Sequence, residues 1–176
     1  MKRREAIQQA ALFMGGLLSA PTLAGAMGRV TNTGPSVVVT AGQEALLADV
    51  ADVIIPTTTT PGAKAAGAEK FIIRVMRDCY PKSEQETFYA GLAKLDADSK
   101  TKFGKEFASL AVAEKNEMVK QTMTDDKPFF LLLKELTTTG YFTSEIGATK
   151  ALAYLPVPGK FESCIPLKPN QKTWAL

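Results

Sequence analysis

The sequence contains no histidine in 176 residues. That absence removes Ser–His and Cys–His nucleophile pairs, histidine general bases and histidine metal ligands together. Cysteine is nearly as scarce. Cys79 and Cys164 are the only two, too few to build a four-coordinate zinc site or to hold an iron–sulfur cluster without other ligands. Neither GxGxxG nor GxxxxGKS/T occurs, so no familiar phosphate cradle is encoded. No basic stripe interleaves with aromatics, which leaves nucleic-acid binding without support. Carboxylate chemistry is the catalytic route still open, through Glu145 or Asp78, but no paired-carboxylate motif accompanies them. These exclusions point away from an enzyme, with no catalytic, metal or cofactor-binding residue in this chain.

What is present starts with MKRREAIQQA. Lys2, Arg3 and Arg4 form a basic head, and AALFMGGLLSA adds about eleven small or apolar residues, an export-signal pattern. Ala24-Gly25-Ala26 supplies the small-x-small cleavage pattern, so residues 1–26 read as a signal peptide. The apolar run falls short of the roughly 20 residues a membrane span needs. Arg3-Arg4 assigns the signal to the twin-arginine route, which carries folded cargo, and predicts a periplasmic protein. Ala6 stands where the fuller motif carries a bulky apolar residue. No cysteine lies near the cleavage pattern, which excludes a lipid anchor there. The formal charge is +3, but Lys2 to Glu5 contribute most of it, so charge says little about partners. The remaining stretch of about 150 residues suits one domain with a real core. Folded export matters most when a cofactor is loaded before crossing, yet nothing in this chain holds one.

Residues 27–39, rich in Gly, Thr, Asn, Ser and Val, read as a linker or extended arm, with 40–176 as the domain. Thr40 and Gln43 form a capping box that opens a helix. Leu46, Leu47, Val50, Val53 and Ile54 share its apolar face, and Pro56 ends it. PTTTTPGAKAAG is an ordered loop with turn chemistry at Pro61-Gly62 and threonine hydroxyls free to serve the backbone. A second helix carries Phe71, Ile72, Val75, Met76 and Cys79 inward and closes at Tyr80-Pro81. Ser83 with Glu86 reads as the next capping box, ahead of a stripe of Phe88, Leu92 and Leu95, with a break over DADSK at 96–100. Phe103, Phe107 and Leu110 suggest a short helix. AVAEKNEMVKQTM follows, with Val112, Met118, Val119 and Met123 predicted inside and Lys115 to Lys120 on a solvated face. Asp126 and Pro128 launch a last long helix that Gly140 ends. No period-2 strand is visible. The predicted fold is all-α, a single compact helical domain with an extended, Pro- and aromatic-rich C-terminal segment beyond a short helical stretch at 144–153.

A reactive catalytic thiol has no histidine to lower its pKa, so an oxidising compartment leaves three readings of the cysteines ahead of it. Cys79 and Cys164 form an intrachain disulfide, worth about 4–5 kcal/mol in the chain-entropy picture; or one of them pairs with a partner chain; or both are buried thiols. The aromatic C-terminal third either wraps its own domain or docks on a partner.

Three separated stretches carry a resemblance. LLADVADVIIPTTTTPGAKAAGAEKFI, LKELTTTGYFTSEIGATKAL and YLPVPGKFESCIP, in that order behind the twin-arginine start, are similar to the gluconate 2-dehydrogenase subunit 3 family. The resemblance implies a small subunit of membrane-associated, flavin-dependent sugar or polyol dehydrogenases. The FAD would sit in a separate large subunit of the glucose–methanol–choline type, electrons would leave through a cytochrome c subunit or another acceptor, and membrane association would be indirect. The small subunit would engage the export machinery, co-export the flavoprotein and act as its chaperone. On that reading the cofactor belongs to the partner. The residues expected to contact it are Pro56, Thr60, Pro61 and Gly62 in the first loop, and Tyr141, Phe142, Glu145 and Tyr154 after the last helix. Phe161 and Trp174 join them from the C-terminal segment. The alternative is a free-standing exported helical domain that binds a ligand through the PTTTTPGAKAAG loop. Neither the sugar nor the stoichiometry is encoded visibly.

Overall fold

The computed structural model describes residues 37–157, 159, 164 and 166–175. The predicted export segment with Arg3 and Arg4, most of the predicted 27–39 arm and Phe161 lie outside them. The described residues form α1 (Ala41–Ile54), α2 (Ala68–Cys79), α3 (Lys82–Phe103), a 3-10 turn (Phe107–Ser109), α4 (Val112–Asp125), α5 (Lys127–Phe142) and a π-helical turn (Gly147–Ala151). There is no strand among them beyond one parallel bridge between Ala153 and Trp174. The all-α expectation holds.

α1 is the axis of the bundle and touches each of the other four α-helices. Its sequence suits that position, because a helix surrounded by partners can be apolar or small on most of its faces. Leu47, Val50 and Ala51 are fully buried, Ala48 nearly so, and Leu46, Val53 and Ile54 pack partly buried against the main core. The capping box forms as read. Thr40 Oγ1 accepts from the Gln43 N–H at 3.3 Å, and Gln43 Oε1 accepts from the Thr40 N–H at 3.0 Å. Val37 and Val39, just ahead of it, pack against the core, while Val38 points outward.

α3 departs from the sequence reading at both ends. Its N-cap is Pro81, with Ser83 already inside the first turn and making no cap. Gln85 is buried instead and clasps three segments. Its Nε2 donates to the Tyr80 carbonyl at 2.8 Å, and its Oε1 accepts from the Val37 N–H at 3.2 Å. The expected break over 96–100 does not occur, and the helix runs to Phe103 before Gly104, at φ 68°, ends it. Two side chains explain the continuity. Ser99 is buried with its hydroxyl donating to the Leu95 carbonyl, and Asp96 caps the chain after the helix by accepting from the Phe107 N–H at 3.0 Å.

Asp96 also receives Lys100 Nζ at 2.8 Å. Burial pushes the Asp96 carboxyl upward, but the Lys100 and Phe107 hydrogen bonds and the Lys100 charge outweigh it and hold the group below the ordinary carboxylate range. A carboxyl depressed on folding contributes stability that is present above its unfolded value and is lost as pH falls through the folded one. Asp96→Asn should therefore cost about 1 kcal/mol at pH 7. The difference from wild type in urea titrations should shrink as pH drops below about 4. An identical penalty at pH 7 and pH 3 would show that charge is not involved.

α4 buries Met118 and Val119 as expected, but Val112 and Met123 are exposed. Val112 is the first residue of its helix and Met123 lies in its last turn, so neither reaches the core. Lys115 is not on a solvated face either. It sits over the Phe107 ring and 3.7 Å from Asp49 Oδ2. Asp126 caps α5 by accepting from the Phe129 N–H at 3.3 Å, with Pro128 in the first turn. Gly140 does not end α5, which continues to Phe142. The residue is glycine because Phe71 of α2 presses on it; an added Cβ would lie 2.8 Å from the ring.

Cys79 and Cys164 are both exposed and are not joined to each other. The buried-thiol reading is thereby overturned, as is the inward placement of Cys79. The last residue of α2 has turned past the face that packs Ile72 and Met76 inward.

Candidate functional site

The first loop and the end of α5, 80 residues apart, meet in space. Tyr141 is buried, and its hydroxyl donates to the Pro61 carbonyl at 2.8 Å, with Thr60 Oγ1 at 3.5 Å. Around the ring lies a second, alanine-rich cluster of Ala51, Ala63 and Ala68, with Ala66 and Ile146 at its margin. Small side chains let the loop backbone lie close on α1. The loop is ordered by its own hydroxyls as predicted, with Thr57 Oγ1 accepting from the Gly62 N–H at 2.9 Å. The Ala63 N–H reaches back to the Ile55 carbonyl at 2.8 Å. Gly62 is buried; Pro56 stays exposed.

Lys64 pins the loop to α1 through Asp49 at 2.6 Å. The hydrogen bond and charge of Asp49 hold the Lys64 ammonium above its ordinary range, with Asp52 and Glu69 adding to the same effect and burial opposing it. Glu69, the second residue of α2, is buried, and its Oε2 has no hydrogen-bond partner among the described residues. The positive end of the α2 dipole and the nearby Lys64 charge are what offset its desolvation.

The hydroxyl of Tyr141 is thus a fastener within the chain. Tyr141→Phe leaves the ring packed and removes the donor to Pro61. The expected cost is about 1–1.5 kcal/mol. Amide exchange should accelerate across 56–67 while the α3 and α4 amides stay at wild-type rates. Uniform acceleration through all helices would contradict a local fastener.

Directly beyond Tyr141 the chain opens into a groove of about 470 Å³. It lies between the end of α5, the π-helical turn and the extended pieces on either side of the Ala153–Trp174 bridge. Its lining includes Phe142, Glu145, Ala148, Leu152, Tyr154 and Trp174. Four residues predicted from sequence as partner contacts therefore converge here: Phe142, Glu145, Tyr154 and Trp174. The three aromatic side chains are 39%, 54% and 54% exposed for Phe142, Tyr154 and Trp174. Phe142 joins the groove to the fastener, its ring edge-on to Tyr141 at 5.1 Å between centroids. The other predicted contacts, Thr60, Pro61, Gly62 and Tyr141, come together behind this groove in intrachain packing.

The π turn follows from local crowding. Ser144 Oγ donates to the Tyr141 carbonyl at 2.6 Å and accepts from the Gly147 N–H at 3.0 Å. Gly147 packs so closely on Tyr141 that no side chain fits. π turns recur at functional sites because the widened helix re-aims side chains. Here it directs Ala148 and Leu152 into the groove. Sequence reading missed Ala148, Thr149 and Leu152; a five-residue stretch rich in small residues carries no periodic signal for a wide turn.

The family model described as Gluconate 2-dehydrogenase subunit 3 matches residues 41–159, a span that includes all five α-helices, the fastener and most of the groove. No curated protein and no solved structure matches the chain.

Proposed function

Because the chain belongs to the gluconate 2-dehydrogenase subunit 3 family, we propose that it is a non-catalytic small subunit that binds, co-exports and stabilises a flavin-dependent dehydrogenase large subunit. The family match along more than half of the chain is the observation that carries this reading. The twin-arginine start and the lack of histidine in the sequence support it, since a folded-export address on a chain without its own catalytic set suits an escort. FAD would reside in the large subunit, of the glucose–methanol–choline type, and a cytochrome c subunit would take the electrons. The complex would stand in the periplasm, bound to the membrane through its other members. A stable subunit interface of this kind buries on the order of 2,000 Å² or more.

The test is purification of the tagged protein from the periplasmic fraction of its native host, with absorbance read across the flavin bands. The expected result is a yellow complex with a second, larger chain in fixed ratio. A colourless chain recovered alone would favour the free-standing binding domain, for which a groove of about 470 Å³ is a suitable size.

A further inference from the structure

Resting on the subunit reading above, we infer that the groove at the end of α5 receives an arginine side chain carried on an extended segment of the flavoprotein partner. The groove's polar groups select for donors. The hydroxyls of Thr143 and Thr149 already donate to the carbonyls of Thr139 and Glu145, and that of Ser144 to the Tyr141 carbonyl. The Thr143 and Thr149 oxygens remain as acceptors, while that of Ser144 already accepts from the Gly147 N–H. Among the described residues Glu145 is the only charged one in the lining; it is exposed and has no ion pair or side-chain hydrogen bond with any of them. The ring donors of Tyr154 and Trp174 aside, the groove offers acceptors and one negative charge. Lys150 and Lys172 flank it without lining it, and the Lys172 ammonium is turned onto the Lys150 carbonyl.

The aromatics supply the other half of the match. Cations are attracted to the faces of Trp, Tyr and Phe, and a guanidinium stacks on rings while its planar fork hydrogen-bonds a carboxylate. An ammonium would satisfy the charge but not the stacking. A polypeptide rather than a small cation fits because the apolar surface continues past the rings. Leu155 and Val157, following directly on Tyr154, are both exposed, and a small ligand in the groove would leave them in water. An extended segment would cover them, with arginine as its anchor.

Trp174 is the only tryptophan in the sequence, so its fluorescence reports the groove directly. The full-length protein would be titrated with acetyl-Ala-Pro-Arg-Leu-Gly-amide and with the same peptide carrying citrulline, which keeps shape and loses charge. The arginine peptide should shift Trp174 emission saturably and bind at least about tenfold more tightly than the citrulline one. Glu145→Gln should erase that difference. Glu145 is exposed and its side chain has no partner among the described residues, so this variant should keep the fold, checked by an unchanged melting temperature. Equal response to both peptides, or no saturable response to either, overturns the inference whether or not a flavoprotein is found. A second arm separates the two claims. If the wild type co-purifies with a flavoprotein, Glu145→Lys should lower recovery by about tenfold or more. Undiminished recovery removes the groove from the interface and leaves the escort reading standing. Failure of the wild type to retain a flavoprotein sinks the escort reading, and the peptide titration then decides the groove by itself.

Discussion

Phe88→Ala is expected to destabilise the chain by about 4 kcal/mol. The ring is 2% exposed and sits in the main core. It meets Tyr89 edge-on at 5.4 Å between centroids and Phe129 of α5, tilted, at the same distance. Truncation removes the apolar transfer term and both ring contacts, and it leaves a hole between two helices whose backbones are held by other contacts. A cleft of about 180 Å³ already lies alongside, lined by Phe88, Phe129 and Leu132, so the cavity would open toward solvent. The melting temperature should fall by roughly 8–16 °C. Phe88→Leu should recover more than half of the loss, because most of the volume returns. A fall of less than about 3 °C for the alanine variant would mean that α3 and α5 close over the gap.

A methyl group at Gly147 should cost about 3 kcal/mol, at the upper end for overpacking. The added Cβ would overlap the Tyr141 carbonyl oxygen and would lie 2.7 Å from its carbon and 2.9 Å from Phe142 Cα. These are backbone atoms, so no rotamer change relieves the clash. The same carbonyl accepts the Ser144 hydroxyl, and the Gly147 N–H donates to Ser144 Oγ. Displacing one member therefore disturbs all three. Gly147→Ala should thus combine a lower melting temperature with altered Trp174 emission, since Ala148 and Leu152 share the groove with that ring. Gly42→Ala is the matching control. Its Cβ would meet nothing closer than 4.0 Å, and in a helix alanine is favoured over glycine by roughly 0.5–1 kcal/mol. If both variants melt together with wild type, the tight approach at Gly147 is not what holds the turn.

The two variants probe different layers of the protein. Phe88 belongs to a stripe with Leu92 and Leu95 that is readable at helical spacing, and all three are buried. Gly147 belongs to a turn that no periodicity announces. The same division runs through the molecule. The Thr40–Gln43 box, the Asp126 cap and the stop before Pro56 were legible because each is settled within four residues of chain. Ser83 and the DADSK stretch misled because equally local signals were overridden. Gln85 found better partners at Tyr80 and Val37, and Asp96 spent its carboxylate on Lys100 and Phe107. Gly140 looked like a stop and is a contact point, and only the presence of Phe71 over it makes the difference. Phe142, Glu145, Tyr154 and Trp174 could be named individually as candidate contacts, but nothing in their spacing placed them around one groove.

By itself the sequence determined the helical class, most of the core stripes and the family, since periodicity, caps and motifs are properties of short contiguous stretches. The tertiary structure alone decided that Tyr141 fastens Pro61 across 80 residues, that α1 is central, and that four aromatic and acidic side chains share one opening. Those outcomes depend on which distant surfaces bury one another, and that is set by the packing of the whole chain rather than by any segment of it.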